Sequence, residues 1–89
     1  MPLDEQMKSA TQRERGIDRL LSLLAFLHAH GRPVRVAELA KALQAPRSTI
    51  YELVRSLSQA GLLEVSEDEV FFGKLMYLYG AGYLRTNDL

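Results

Sequence analysis

Polar side chains of complementary chemistry cluster in one short stretch of the chain. Arg47 and Arg55 are eight positions apart, about two turns of a helix, and Ser48, Thr49 and Tyr51 lie between them. A guanidinium group carries a planar fork of donors that matches phosphate oxygens or the O6 and N7 atoms of guanine. These residue types at this spacing therefore suit contacts with nucleic acid. The alternative is a pair of solvated arginines on an ordinary surface helix.

The three hydroxyl groups of this stretch are candidate DNA contacts that also allow structural explanations. Ser48 and Thr49 can donate to phosphate, or they can cap the start of a helix. The spacing of Thr49 and Glu52 fits a capping box. Tyr51 can contact a thymine methyl group or a phosphate, or it can cover the adjoining turn as a half-buried aromatic. We expect Tyr51 to contact DNA, and for the other two hydroxyls both interpretations stay open.

Two further arginines are candidate DNA contacts, and the charge around them is uneven. Arg32 and Arg35 flank Pro33, where they either position a phosphate backbone or only solvate a loop. From Arg32 to Gln59 there are five basic and two acidic side chains, a net charge of +3, and four acidic residues follow between Glu64 and Glu69. The basic segment suits a polyanion. We expect the acidic segment to stand away from a DNA backbone, which repels it.

Composition narrows the class of protein. The chain has 89 residues, enough for one small domain, and no cysteine, which excludes disulfide scaffolds and thiolate metal sites. Eleven basic residues balance eleven acidic ones, and the sequence pI is near 6.7, below the value of about 9 that is typical of nucleic-acid-binding domains. The longest apolar run, residues 20–27, is far shorter than the roughly 20 residues that span a bilayer. We expect a cytoplasmic protein without membrane contact.

Catalytic chemistry has no support in the sequence. The chain contains no glycine-rich phosphate loop, no nucleophile with an oriented base and no metal-ligand spacing. His28 and His30 are two positions apart, so on a helix they point in different directions. We therefore expect neither an enzyme nor a site for a metal or another cofactor.

Apolar periodicity predicts a first helix from about Ile17 to His30, which Gly31 and Pro33 end. Gly16 is its expected N-cap. Residues 1–15 are polar and lack a sustained apolar period, so we expect them to form a flexible N-terminal arm. The apolar stripe of the helix consists of Ile17, Leu20, Leu21, Leu24 and Leu27.

Two further helices follow, joined by the short connection "QAP". The first is predicted over about Val36 to Leu43, and Pro46 suits the first turn of the second because its missing N–H needs no partner there. The second helix ends near Ala60, where Gly61 favours a left-handed stop. Its buried stripe is Ile50, Leu53, Val54 and Leu57, which leaves residues 47, 48, 51, 52, 55 and 59 facing outward.

A hairpin and a last helix complete the chain. The segments "LLEV" and "VFF" are β-prone around the turn "SEDE", which predicts a two-stranded hairpin packed on the helices. Residues 74–89 are then expected to form a C-terminal linker and dimerisation helix. Gly80 and Gly82 either end this helix or permit close approach of another one. Its apolar stripe, either core or dimer interface, consists of Leu75, Leu78, Tyr79 and Tyr83.

The order of helix, short helix, tight turn, helix and hairpin is that of a mostly α, winged helix-turn-helix domain, here over residues 16–73. The segments "GIDRLLSLLAFL", "VAELAKAL", "PRSTIYELVRSLSQAGLL" and "FFGKLMYLYGAGYL" resemble the DNA-binding domain of IclR-type (isocitrate lyase regulator) bacterial transcription factors, from about Gly16 to Leu84. The most specific part is the proline-basic-Ser-Thr-aliphatic-Tyr start of the third helix, followed by Ala-Gly-Leu-Leu.

The resemblance implies a dimeric repressor or activator that binds operator half-sites of double-stranded DNA through the major groove. It also implies that a small-molecule effector acts through a C-terminal domain that this chain lacks. The chain is then either the DNA-binding part of a longer protein or a stand-alone version. Family members often have Arg where this chain has Glu52, and their wing usually carries a small polar or basic turn where this chain has "SEDE".

A second hypothesis is a winged helix that serves protein interaction or dimerisation without specific DNA binding. The zero net charge, Glu52 and the acidic wing favour this alternative. Salt-dependent binding to promoter DNA distinguishes the two hypotheses, because only a DNA-binding domain releases counterions from phosphates.

Overall fold

Four helices and a small antiparallel sheet form the protein in a computed structural model, which describes the backbone of residues 3–87 and the side chains of residues 15–87. In chain order the elements are α1 (Leu3–His30), β1 (Val34–Arg35), α2 (Val36–Leu43), α3 (Arg47–Gln59), β2 (Leu63–Ser66), β3 (Glu69–Phe72) and α4 (Lys74–Asn87). The fold is mostly helical, as predicted, and its element order is that of a winged helix-turn-helix.

The first helix, α1, begins at Leu3, well before the predicted start near Ile17. The flexible arm expected over residues 1–15 therefore differs from the structure, and Gly16 lies inside the helix instead of capping it. Residues 3–15 lack an apolar stripe, but they consist largely of Glu, Gln, Met, Lys, Ala and Arg, which have high intrinsic helix propensity. Apolar periodicity does not predict this N-terminal extension of α1, whereas helix propensity accounts for it.

The buried face of α1 is rotated about the helix axis relative to the predicted apolar stripe. Leu23 and Leu27 are fully buried, whereas Ile17 and Leu21 are each 57% exposed. The leucine-rich run at residues 20–27 satisfies the helical period along two overlapping stripes, so the sequence does not choose between them. Ile17 and Leu21 of the predicted apolar stripe thus lie outside the core of this chain, and the stripe did not include Leu23.

The sheet has three antiparallel strands in the order β1-β3-β2. The predicted hairpin is formed by β2 and β3. The strand β1 was not predicted, because two residues give no periodic pattern. Val34 of β1 lies opposite Val70 of β3, and both side chains are fully buried. The short strand thus joins the hairpin to the start of α2.

The turn between β2 and β3 is tighter than the predicted four-residue turn. Ser66 pairs with Glu69, so only Glu67 and Asp68 form the loop. Their φ angles are 49° and 72°, in the left-handed region that a two-residue type I′ hairpin turn requires. Asp visits this region more readily than most residues because its short side chain can hydrogen-bond locally. The turn geometry therefore fixes the position of the Asp68 backbone.

One hydrophobic core joins α1, α2, α3 and the sheet. The apolar side chains of β2 and β3 enter it beside those of the three helices, so α3 is held with one face against the rest of the domain. The buried members of the core are Leu23, Leu27, Val34, Val36, Leu39, Ala40, Ile50, Val54, Leu57, Leu63 and Val70.

The last helix, α4, continues without a break through Gly80 and Gly82. None of its described residues is buried, and it packs mainly on β2. The exposed fractions of Leu78, Tyr79 and Tyr83 are 49%, 62% and 67%. The interpretation of this stripe as core was therefore wrong for these three residues, and the apolar face is open to another surface.

Within the described part of the chain, no helix combines the length and the apolar character that crossing a bilayer requires. The same residues include no group of three His, Asp or Glu side chains placed to hold a metal ion.

A close backbone contact ties the end of the hairpin to its beginning. The Gly73 amide donates to the Leu62 carbonyl oxygen at 2.8 Å, and the Leu75 amide donates to that of Gly61 at 2.9 Å. A Cβ atom on Gly73 would lie 2.5 Å from the Gly61 carbonyl oxygen and 2.9 Å from the Leu63 carbonyl oxygen. Position 73 therefore admits only glycine without a backbone shift.

We expect Gly73→Ala to lower the free energy of unfolding by about 1–3 kcal/mol, because the backbone must move to admit the methyl group. Gly16→Ala is the matched control: nothing lies within 4 Å of its added Cβ. Alanine favours the helix there by about 1 kcal/mol over glycine, so the control should gain stability. Urea unfolding followed by circular dichroism measures both variants. Equal stabilities would contradict the close contact.

Candidate nucleic-acid interface

The exposed face of α3 carries most of the predicted contact residues. Arg47, Tyr51 and Arg55 are spaced four residues apart along α3, and all three are exposed. Residues at this spacing lie above one another on a helix, so they form a continuous row, which we call the α3 stripe. The other residues predicted to face outward, Ser48, Glu52 and Gln59, are also exposed. The opposite side of α3 is buried through Ile50, Val54 and Leu57.

The connection between α2 and α3 sets where the α3 stripe begins. Gln44 ends α2 in the left-handed region, with φ 53° and ψ 46°. The Gln44 amide donates to the Lys41 carbonyl oxygen at 3.2 Å, and the Ala45 amide donates to that of Ala40 at 3.0 Å. These bonds satisfy the end of α2 and turn the chain within two residues toward Pro46.

The first turn of α3 has no side-chain cap. Pro46 is the N-cap residue, and the Ile50 amide donates to its carbonyl oxygen at 3.2 Å. A proline side chain has no acceptor, so it cannot satisfy the first amides of the helix. Thr49 lies inside this turn and is partly buried, whereas Ser48 is exposed. The interpretation of Thr49 as a helix cap was therefore wrong.

Tyr51 is tied to the hairpin turn. Its hydroxyl group donates a hydrogen bond to Asp68 Oδ1 at 2.8 Å, across 17 positions of sequence. The Asp68 carbonyl oxygen accepts a second hydrogen bond, from the Val36 amide at the start of α2, at 3.3 Å. Asp68 thus joins the wing to both helices of the helix-turn-helix. The expectation that the acidic turn stands away from a DNA backbone stays a prediction, because this contact lies within the chain.

The contact with Asp68 changes the acidity of the Tyr51 phenol. The hydrogen bond to Asp68 raises the pKa of Tyr51 above its ordinary value of 10.0, with smaller contributions from desolvation and from the negative charge of Asp68. The positive charge of Arg47 opposes this effect. The sequence holds no local signal for the pair, because the contact depends on the two-residue turn that places Asp68.

Arg32 and Arg35 lie before α2 and are not members of the α3 stripe. Arg32 Nη2 lies 3.5 Å from Glu38 Oε2, and Arg32 Nη1 donates to the Pro33 carbonyl oxygen at 3.0 Å. The Arg35 amide donates to Glu38 Oε1 at 3.4 Å, and its side chain is exposed on β1, opposite Glu69 in the strand register. Both arginines therefore lie at the start of α2, where acidic side chains accompany them.

We expect the Tyr51 phenol to titrate above pH 10.0, its ordinary pKa. The difference in phenolate absorbance between the chain and Tyr51→Phe isolates this titration. Because the folded pKa is raised, the Tyr51–Asp68 contact stabilises the fold below pH 10.0 while the Asp68 carboxylate is ionised, and this contribution is lost as pH rises through the folded pKa. Asp68→Ala is the control, and it should bring the midpoint back toward 10.0. A midpoint at or below 10.0 in the unmodified chain would contradict the hydrogen bond.

The comparisons with known proteins agree with this arrangement. Residues 16–67 match the family described as the IclR helix-turn-helix domain, and they make up more than half of the chain. The matched segment holds α2, α3 and the whole of β2, and it ends inside the hairpin turn. Comparison with curated proteins and with solved structures gives no significant match. The chain therefore belongs to the IclR helix-turn-helix family.

Proposed function

We propose that this DNA-binding domain of a transcription regulator recognises operator half-sites as a homodimer, with α3 in the major groove. The observation that carries the proposal is the α3 stripe: Arg47, Tyr51 and Arg55 share the exposed side of a helix whose other side is fixed in the core. With 13 residues, α3 is about 20 Å long, which suits a major groove about 12 Å wide.

The two arginines of the α3 stripe have different roles in the proposed complex. Arg47 is the first residue of α3, and the N-terminal part of a recognition helix usually meets base edges. Arg55 lies two turns later, where the helix approaches the DNA backbone. Ser48 and the amides of the first turn, which Pro46 leaves uncapped, suit a phosphate at the start of α3.

The homodimer is supported by apolar surface on two helices. Ile17 and Leu21 are large apolar residues of α1, and both side chains are exposed. Tyr77, Leu78 and Leu84 are exposed on α4, which has no buried described residue. Small domains gain stability when such surfaces are buried against a second copy. A two-fold dimer also matches operator half-sites that repeat about one helical turn apart.

We expect Arg47→Ala to weaken binding to selected duplex DNA by about 1–3 kcal/mol and to relax the preference at one base pair of each half-site. Arg55→Ala should weaken binding to all sequences alike and lower the slope of log K against log salt by about one per subunit. Fluorescence anisotropy over a range of salt concentrations measures both effects. Arg85→Ala removes an equal charge from α4 and should change base preference at no position.

Binding constants that stay the same in both α3 variants would refute the roles assigned to the α3 stripe. If the unmodified chain enriches no duplex from a random pool at any salt concentration, the operator-binding proposal itself fails. The winged helix would then serve protein interaction, as the second hypothesis states.

We expect the chain to sediment as a dimer at tens of micromolar and Leu78→Asp to weaken the dimer at least about tenfold, because a carboxylate would be desolvated in the interface. Val65→Asp is the matched control: Val65 is 44% exposed, but it lies on β2 rather than on α1 or α4. Sedimentation equilibrium without DNA measures the dissociation constants. Equal weakening by both variants would contradict an interface on α4.

A further inference from the structure

Tyr51 lies in the middle of the α3 stripe, but its hydroxyl proton already forms a hydrogen bond within the protein. The phenol donates to Asp68 Oδ1 at 2.8 Å, a distance typical of an O–H···O hydrogen bond. A phenol has one proton to donate, and its oxygen keeps lone pairs that accept. As long as this bond persists, Tyr51 presents only an acceptor to a ligand. The raised pKa of Tyr51 is consistent with a phenol that keeps its proton at neutral pH.

Because the Tyr51 oxygen can only accept a hydrogen bond, it can bind only those groups of DNA that donate one. Phosphate oxygens are acceptors, so they cannot bond to an oxygen that has no proton left to donate. The Asp68 carboxylate beside it, an acceptor of like charge, also repels phosphate. Tyr51 is therefore poorly suited to the phosphate contact that a free tyrosine hydroxyl makes.

The major groove presents donors that match this acceptor. Adenine offers its N6 amino group and cytosine its N4 amino group, whereas guanine and thymine offer acceptors at the corresponding edges. In the major groove each base pair thus presents one amino group, on one of its two strands. An acceptor at a fixed place in the groove therefore distinguishes an amino base, A or C, from a keto base, G or T, on the strand that it faces.

We propose that Tyr51, held by Asp68, is a specificity-determining residue that accepts a hydrogen bond from the amino group of an A or C in each half-site. The inference rests on the proposed function, because it assumes that the α3 stripe faces the major groove. Asp68 is a positioning residue: it contacts no base and acts by accepting the hydrogen bond that the phenol donates.

The geometry of the turn keeps Asp68 in this position. Its carbonyl oxygen is bound to the Val36 amide at 3.3 Å, and its carboxylate is bound to Tyr51, so it is held from both sides. Glu67, the other residue of the turn, is exposed and has a similar left-handed φ. The two positions therefore offer a matched pair of substitutions, and glycine suits both backbones.

The test is selection of bound duplexes from a pool of random sequence, followed by sequencing. We expect the unmodified chain to prefer A or C over G or T at one position of each half-site, by about 2- to 10-fold for a single hydrogen bond. Tyr51→Phe should lose this preference. Asp68→Gly frees the phenol to donate and should level the preference or reverse it toward G or T. Glu67→Gly should keep the preference of the unmodified chain.

A fourth variant separates the effect of the hydrogen bond from that of the charge. Asp68→Asn keeps an oxygen that accepts from Tyr51 but removes the negative charge, so the base preference should persist while affinity for all sequences rises. Circular dichroism checks that each variant is folded, and the exposed position of Tyr51 suits the Phe substitution.

Several results would overturn the inference. An unchanged preference in Tyr51→Phe would exclude Tyr51 as the reader and leave the proposed function intact. Equal weakening for all sequences in that variant, with a smaller salt dependence, would assign Tyr51 to a phosphate instead. If Glu67→Gly loses as much preference as Asp68→Gly does, the effect comes from the turn as a whole and Asp68 has no specific role in base preference. If the unmodified chain enriches no duplex, both the inference and the proposed function fail.

Discussion

The burial of one side of α3 is the constraint on which the rest of the domain depends. Ile50, Val54 and Leu57 enter the core, and their packing fixes the rotation of α3 about its own axis. A helix that could rotate by one residue, or about 100°, would move its polar row to a different direction. The α3 stripe has a defined direction only because the apolar row behind it cannot leave the core without exposing side chains to water.

A second constraint comes from β3, the central strand of the sheet. It pairs with β1 just before α2 and with β2 just after α3, so its turn lies beside both helices. Asp68 in this turn binds Val36 through its backbone and Tyr51 through its side chain. The position of the hairpin wing is therefore coupled to that of α3, whose stripe faces outward.

The sequence predicts the parts of this arrangement that depend on local periodicity. Both helices of the helix-turn-helix, α2 and α3, lie where their apolar periods and the adjacent Pro46 and Gly61 indicate. The same apolar periods also predict which residues of α3 are exposed. By contrast, β1 is too short to have a period, and the leucine run of α1 has too many apolar positions to select Leu23 over Leu21. The Tyr51–Asp68 bond depends on a turn conformation that neither residue determines alone.

The zero net charge of the chain is compatible with DNA binding because charge acts locally. At physiological ionic strength, interactions between exposed charges are screened beyond about 8 Å, so a sum over the whole chain says little about one helix face. Asp68, an acidic group that contacts this face, accepts a hydrogen bond from Tyr51. The acceptors of Tyr51 and Asp68 lie on a face that also carries Arg47 and Arg55. They weaken the attraction of this face to the phosphate backbone of any DNA, whatever its base sequence. In the proposed complex the same pair favours the duplexes that place an amino group opposite it, so the domain would lose general affinity and gain discrimination.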